Sequence, residues 1–515
     1  MTASTAVSGQ TEPVEPPPSH LKPLAKRDFG YAEARHLLWR AGFGGSPAQI
    51  QTLASWGMDR AVDHLLDYAD VPFESPAPDT FDKNIMRPAT DKERQEYRAA
   101  QRAQNENVLA QTRLRRQQAQ RRDRQQIGEM QRWWLKRMIE TPRPFEEKMT
   151  LFWHGRLATG YRTIENSYHM YLQNQTYRAN AAGNYGELLT SVIRDPAMLK
   201  YLDNDESSKR QPNENLAREL MELFSLGVGA YSERDIKEGA RALTGYTFED
   251  DDFFFRQENH DTGNKNILGT RAPHDGESFV RAILSQRACS HYVCSNLYRF
   301  FARHVPTDPT QQDKATDRIV GLMATKLRKS DFELRPVLRQ LFKSEHFYHE
   351  SVQRELIKSP VELVVGAVRS MNAPVRDLAV LNDALDLMGQ RLFFPPSVKG
   401  WDGGRSWVNT STMFVRQNIL AFLLTGKKPV GYDATAGADA FDPMPLLEAL
   451  ETGDRGASSD PARVVDYLLR LTLGNSPAHA RKVLTEFIDS HGGVRPDVVT
   501  GALLLVTAMP EYQLC

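Results

Sequence analysis

The sequence predicts a mainly α protein: a large multi-helix body with a small β-hairpin insertion near residues 246–270. Three observations lead there. Apolar residues recur along most of the chain at the spacing of a buried helix face. Proline and glycine punctuate that pattern where helices would start and stop. One stretch breaks it: Tyr246, Phe248, Phe253 and Phe255 surround an acidic turn at Glu249 to Asp252, which is a hairpin pattern.

The first 28 residues are rich in Pro, Ser, Thr and Glu, with four prolines between Pro13 and Pro18, and are expected to form a disordered tail. Residues 29–515 are expected to form one helical domain. Ala34, Leu37, Leu38 and Ala41 share a helix face, Gly42, Gly44, Gly45 and Pro47 mark a turn, and Ser46 can cap the next helix. Residues 91–140 carry 13 basic and 7 acidic side chains, no proline and one glycine, Gly128, so a long helix is expected. Apolar side chains are few before Ile127, so residues 91–132 read as a Gln/Arg-rich helical arm facing solvent, or as a basic handle for an acidic partner. Thr141-Pro142-Arg143-Pro144 forces a break, and Phe145 to His154 resumes helical spacing. After the hairpin, His260-Asp261-Thr262-Gly263-Asn264 reads as a second turn. Helical periodicity returns from Phe279, interrupted by a Gly/Trp loop between Gly400 and Asn409.

The 515 residues include 65 basic and 65 acidic side chains, a formal net charge of zero. That balance argues against nucleic-acid binding as the main task. Apolar residues at 40% and charged residues at 25% are globular composition. Cys289, Cys294 and Cys515 form no disulfide framework and lack zinc-finger spacing. No basic start with an apolar core opens the chain, and no apolar run is long enough to span a bilayer. A cytoplasmic location is the expectation.

The densest polar group is Asn213-Glu214-Asn215-Leu216-Ala217-Arg218-Glu219-Leu220-Met221-Glu222. At helical spacing Asn215, Arg218, Glu219 and Glu222 share one side, with Leu216 and Leu220 opposite. One reading is an amphipathic helix whose Arg218 and Glu222 pair at i,i+4. The other is a carboxylate cluster that shares a proton or holds a cation, because two glutamates at i,i+3 repel unless one is protonated, paired or metal-bound. His260-Asp261 can act in acid–base chemistry, or can be ordinary turn residues. His154 reads as a core imidazole. The strong metal motifs are absent, so the cofactor is open and a divalent metal would rest on these carboxylates alone. Phosphate-loop, dinucleotide and nucleophile-elbow patterns are absent. Trp401 and Trp407 flank Gly403-Gly404, a loop suited to stacking on a substrate or to plugging the helical body.

Several of these segments resemble the bacterial family known as domain of unknown function 1800 (DUF1800). The resemblance runs from Arg35-His36-Leu37-Leu38 through Phe152-Trp153-His154 and Asn213-Glu214-Asn215-x-Ala-Arg218-Glu219. It continues through Ala240-Arg241-x-x-Thr244-Gly245, His260-Asp261-x-Gly263-x-Lys265, Lys358-Ser359-Pro360-x-Glu362 and Gly400-Trp401-x-Gly403-Gly404-x-x-Trp407 to Pro510-Glu511-Tyr512-Gln513. It implies a mostly helical fold from about residue 30 onward. Family members are often exported, and their genes often neighbour those of a phosphatase/sulfatase-like protein. This chain departs from that pattern in showing no evident export signal.

The resulting expectation is a hydrolase-type enzyme acting on a polar, glycan or sulfated, substrate. Glu219, Glu222, His260 and Asp261 would be catalytic. Asn215, Arg218, Lys265, Trp401 and Trp407 would bind substrate, with Arg218 holding an anionic group. The alternative is a non-catalytic scaffold or partner for a phosphatase/sulfatase-like protein, with the polar helix as a buried ion-pair network. A weaker third reading gives the basic arm to nucleic acid.

Overall fold

The structure, a computed structural model, describes residues 15–73, 81–306, 313–427 and 441–515. Twenty-two α-helices and two two-stranded antiparallel sheets account for the regular elements among them. The mainly α expectation holds. No described helix is long and apolar enough to cross a membrane.

The long helix expected over residues 91–140 is two helices, Asp91–Arg102 and Glu106–Glu140. Gln104 between them is left-handed (φ 49°), and the Asn105 side chain accepts from the Val108 amide, so a cap restarts the helix without proline or glycine. The 35-residue second helix buries nothing before Asp123 and then Asp123, Gln126, Ile127, Met130, Trp134 and Met138. Its basic first half is exposed, as the sparse apolar pattern requires.

The buried half of that helix packs on two others. Helix Pro144–Arg156 is buried at every position from Pro144 to His154, including the consecutive charges Glu146, Glu147 and Lys148. Helix Pro360–Met371 is buried at all twelve positions, including Glu362. The Glu147 carboxylate accepts from Trp134 Nε1 (2.8 Å), Arg137 Nε (2.5 Å), and Arg178 Nε and Nη2 (2.6 and 3.0 Å). Burial would raise this carboxyl, but Arg178 and Arg137 outweigh it and hold it at about 2. Lys148 and Glu362 form a second buried pair, linking the two central helices. Gly366 is where Trp39 crosses helix Pro360–Met371; a Cβ there would lie 2.4 Å from the indole.

Residues 246–270 hold the expected hairpin and part of a second. Tyr246–Glu249 pairs with Asp252–Phe255 in the register Tyr246↔Phe255, and Lys265–Ile267 pairs with Thr270–Ala272 through Leu268 and Gly269, both with positive φ. The expected disordered tail differs in its second part. Leu21 is buried, Leu24 N donates to Lys343 O, Glu345 N donates to Lys22 O, and His346 Nδ1 donates to Pro18 O. Proline prevents helix there, yet the carbonyls and one leucine are enough to fasten an extended segment. Residues 1–14 of the expected tail lie outside the described residues.

Glu147→Ala should lower unfolding free energy by about 3–5 kcal/mol in urea melts, because Arg178 stays buried without its carboxylate while Arg137 keeps the more distant Glu146. Glu106→Ala on the exposed arm should change it by less than about 0.5 kcal/mol. Because its folded pKa is depressed, the stabilisation from Glu147 is present above the ordinary glutamate value of 4.5. It is lost as pH falls toward about 2.

Candidate functional site

The polar segment begins with a side-chain turn. Asn213 Oδ1 accepts from Asn215 N (2.9 Å), and Asn213 Nδ2 donates to Asp203 O (3.1 Å). Asn215–Glu219 is α-helical, but Leu220–Leu226 is a π-helix. Gly227 N donates to Glu222 O, five residues back, and Ser225 Oγ donates to Leu220 O. Leu216, Leu220, Met221 and Phe224 are buried and carry the segment's core face.

The wide turn changes the expected pairing. Arg218 does not pair with Glu222. It reaches back to Glu214 (3.2 Å) and across to both oxygens of Glu233 (3.0 Å each). Beyond Glu219 the backbone is no longer regular α, so Glu222 does not stand one normal turn above Arg218. Instead Glu222 accepts from the Tyr231 hydroxyl (2.6 Å). Glu219 is partly buried, and its side chain has no hydrogen bond or ion pair to another described residue. Its carboxyl is pushed up, first by burial and then by the Glu222 charge, with Arg218 opposing. Asn215 is exposed and only its backbone is engaged.

The His260-Asp261 turn is fastened to the end of helix Glu233–Ala242. Arg241 grips Asp261 through two bonds (2.7 and 3.1 Å), which hold its carboxyl below the usual range. His260 is buried, and Nδ1 donates to Thr244 O (2.8 Å). Lys265 Nζ donates to the Asp261 and Gly263 carbonyls (2.5 and 3.1 Å). The third group is the tryptophan loop. Gly400 approaches Gly155 so closely that a Cβ would lie 2.0 Å from its carbonyl oxygen, and Trp401 sits 5.5 Å from the His154 ring. Burial lowers His154 to about 3, and its Nε2 accepts from Phe393 N, so it is the neutral core imidazole expected. Trp407 is buried, and its carbonyl accepts from Thr412 Oγ1.

The sequence-selected residues therefore fall into three groups. Arg218 engages the start of helix Glu233–Ala242 and Arg241 its end, eight residues or about 12 Å along the axis. No hydrogen bond or ion pair among the described residues joins Glu219 or Glu222 to His260, Asp261 or Trp401. Tyr201 neighbours the first group: burial and then the Glu219 charge raise its phenol, and its ring packs over Gly160, close to Pro395.

Two cations escaped the sequence reading. Arg156 ends helix Pro144–Arg156 beside Gly155, and its side chain has no hydrogen bond or ion pair to another described residue. Burial lowers its pKa to about 10, helped by neighbouring Arg299 and opposed by Tyr292. Arg299 donates to Val305 O and Asn296 Oδ1 and is also lowered by burial. Tyr292 donates to Leu223 O (2.8 Å), tying this pair of guanidiniums to the π-helix. An arginine closing a helix reads from sequence as a dipole partner, so nothing marked Arg156. Among the described residues no group of three His, Cys, Asp or Glu side chains is placed to hold a metal ion.

A family model described as protein of unknown function (DUF1800) matches residues 36–514. No curated protein and no solved structure matches the chain.

Asp261→Asn should lower stability by about 1 kcal/mol, since a partly exposed bidentate pair is lost. Amide exchange at Gly263 and Lys265 should speed up, while exchange in helix Asn215–Glu219 stays unchanged.

Proposed function

This chain belongs to the DUF1800 family of proteins of unknown function, and on that footing we propose a hydrolase-type site in which Glu219 and Glu222 are the acid and the base. The observation that carries the reading is the Glu219 carboxyl, raised by burial and by Glu222 and unpartnered among the described residues. Two glutamates whose surroundings differ in this way divide naturally into donor and acceptor. Glu222, held by the Tyr231 hydroxyl, accepts a proton from water. The water oxygen bonds to the substrate's electrophilic centre, the bond to the leaving oxygen breaks, and Glu219 delivers its proton there. The substrate is polar and anionic, glycan or sulfated. Arg156 and Arg299 take the anion-holding role expected of Arg218, and Trp401 offers a stacking face.

A panel of nitrophenyl phosphates, sulfates and glycosides tests this. Glu219→Gln and Glu222→Gln should each reduce turnover of the accepted ester at least about 100-fold. At pH 7 Glu219→Gln should melt no lower than the wild type, because the charged form of a carboxyl whose folded pKa is raised costs stability above that pKa. Activity requires protonated Glu219, so the rate falls as pH rises through its raised pKa, and Glu219→Gln removes that limb. Full turnover in the double variant would end the proposal.

A second reading, a scaffold for a phosphatase/sulfatase-like partner, draws on the pairing of Arg218, Asp261 and Lys265 within the chain. It predicts that Trp401→Ala abolishes capture of such a partner and that both glutamine variants capture it normally.

A further inference from the structure

A cavity of about 260 Å³ opens where the basic arm meets the body, and it shares no residue with the glutamate pair. The long helix Glu106–Glu140 contributes Asp123 and Arg124, the short helix Tyr161–Ile164 contributes Tyr161 and Arg162, and the turn before Pro395 contributes Arg391 and Phe394. Three guanidiniums thus line one small space. Phe394 orients two of them: Arg391 lies 3.9 Å and Arg162 5.8 Å from its ring centroid. Tyr161 packs on the same ring at 5.3 Å.

Asp123, Glu165 and Asp386 balance the three guanidiniums in formal charge, but among the described residues only Asp386 pairs with one of them. Both Asp123 oxygens are occupied, accepting from the Tyr161 hydroxyl (2.7 Å), Ser167 N (2.9 Å) and Ser167 Oγ (2.6 Å). Asp386 meets one side of Arg391 at 3.3 Å. Arg124 and Arg162 have no ion pair among the described residues. Glu165, the remaining carboxylate on the wall, is held in the left-handed region (φ 49°, ψ 36°) without a hydrogen bond from its side chain to another described residue. A strained residue on a cavity wall is a common mark of function.

We propose that this cavity binds a small tetrahedral oxyanion ester, a phosphate or sulfate carried on a flat apolar ring. Guanidinium forks match the oxygens of such a group. The volume exceeds what one phosphate fills, and Ile127, Tyr161 and Phe394 supply apolar wall for the ring.

Calorimetric titration of the full chain with phenyl phosphate, phenyl sulfate and inorganic phosphate decides it. One of the two phenyl esters should saturate with a Kd below about 1 mM, and which one binds tighter identifies the oxyanion. Arg124→Gln and Arg162→Gln, both exposed positions, should each weaken it about tenfold with unchanged melting. Glu165→Gln should tighten it, because the wall then no longer repels the anion. The proposal is overturned by any of three results: no saturation by about 10 mM of either ester, equal affinity for inorganic phosphate and the phenyl esters, or affinity indifferent to both arginine changes.

Discussion

Glu147 is a carboxylate with no exposed surface, and three helices converge on it. The long helix brings Trp134 and Arg137, helix Ser167–Ala179 brings Arg178, and helix Pro144–Arg156 brings Glu147 itself. A bare charge at that depth would be expelled by its desolvation cost, so the helices must dock with their cations in place. Lys148, the next residue, imposes the same demand in another direction through Glu362. Neighbouring positions of one helix thus tie it to three others. Such pairs add little net stability over apolar packing, but they penalise every arrangement in which a partner is missing.

That constraint reaches the C-terminal end of the same helix. His154, Gly155 and Arg156 follow six to eight residues after Lys148, and the tryptophan loop rests on His154 and Gly155. Glu219 and Glu222 belong to a separate segment, fastened through the Tyr185 bond to Phe224 O and the Tyr292 bond to Leu223 O. The body therefore fixes a rigid wall of buried charge on one side and a wide helical turn on the other. Tyr292, beside Arg156 and bonded to Leu223 O, stands between them.

The mainly α architecture was legible because apolar spacing reports burial of a helix face directly, as at Leu37, Leu38 and Ala41. The exposed arm was legible through its lack of apolar residues, and the first hairpin through its alternating aromatics. The buried Glu146-Glu147-Lys148 run was not, since charges in sequence look the same whether water or a partner answers them. The pairing of Arg218 was misread because spacing arguments assume a regular helix, and the π-turn depends on tertiary packing around Leu220 to Leu226. Asp261 was recognised as special, but its partner Arg241 lies twenty residues away and becomes visible only in the fold. Arg156 carried no signal because its distinction is the absence of a side-chain partner among the described residues.

The π-turn orients Glu222 by residue count rather than by residue type. Each extra residue in a helix advances everything after it by about 100° around the axis. A chain one residue shorter between Leu220 and Leu226 would close as ordinary α-helix and keep the same side-chain chemistry. Glu222 and the residues beyond it would then point elsewhere, and the Tyr231 and Tyr292 bonds would have no matching oxygen. In this segment length itself is information, and a deletion would rewrite it more thoroughly than any single substitution.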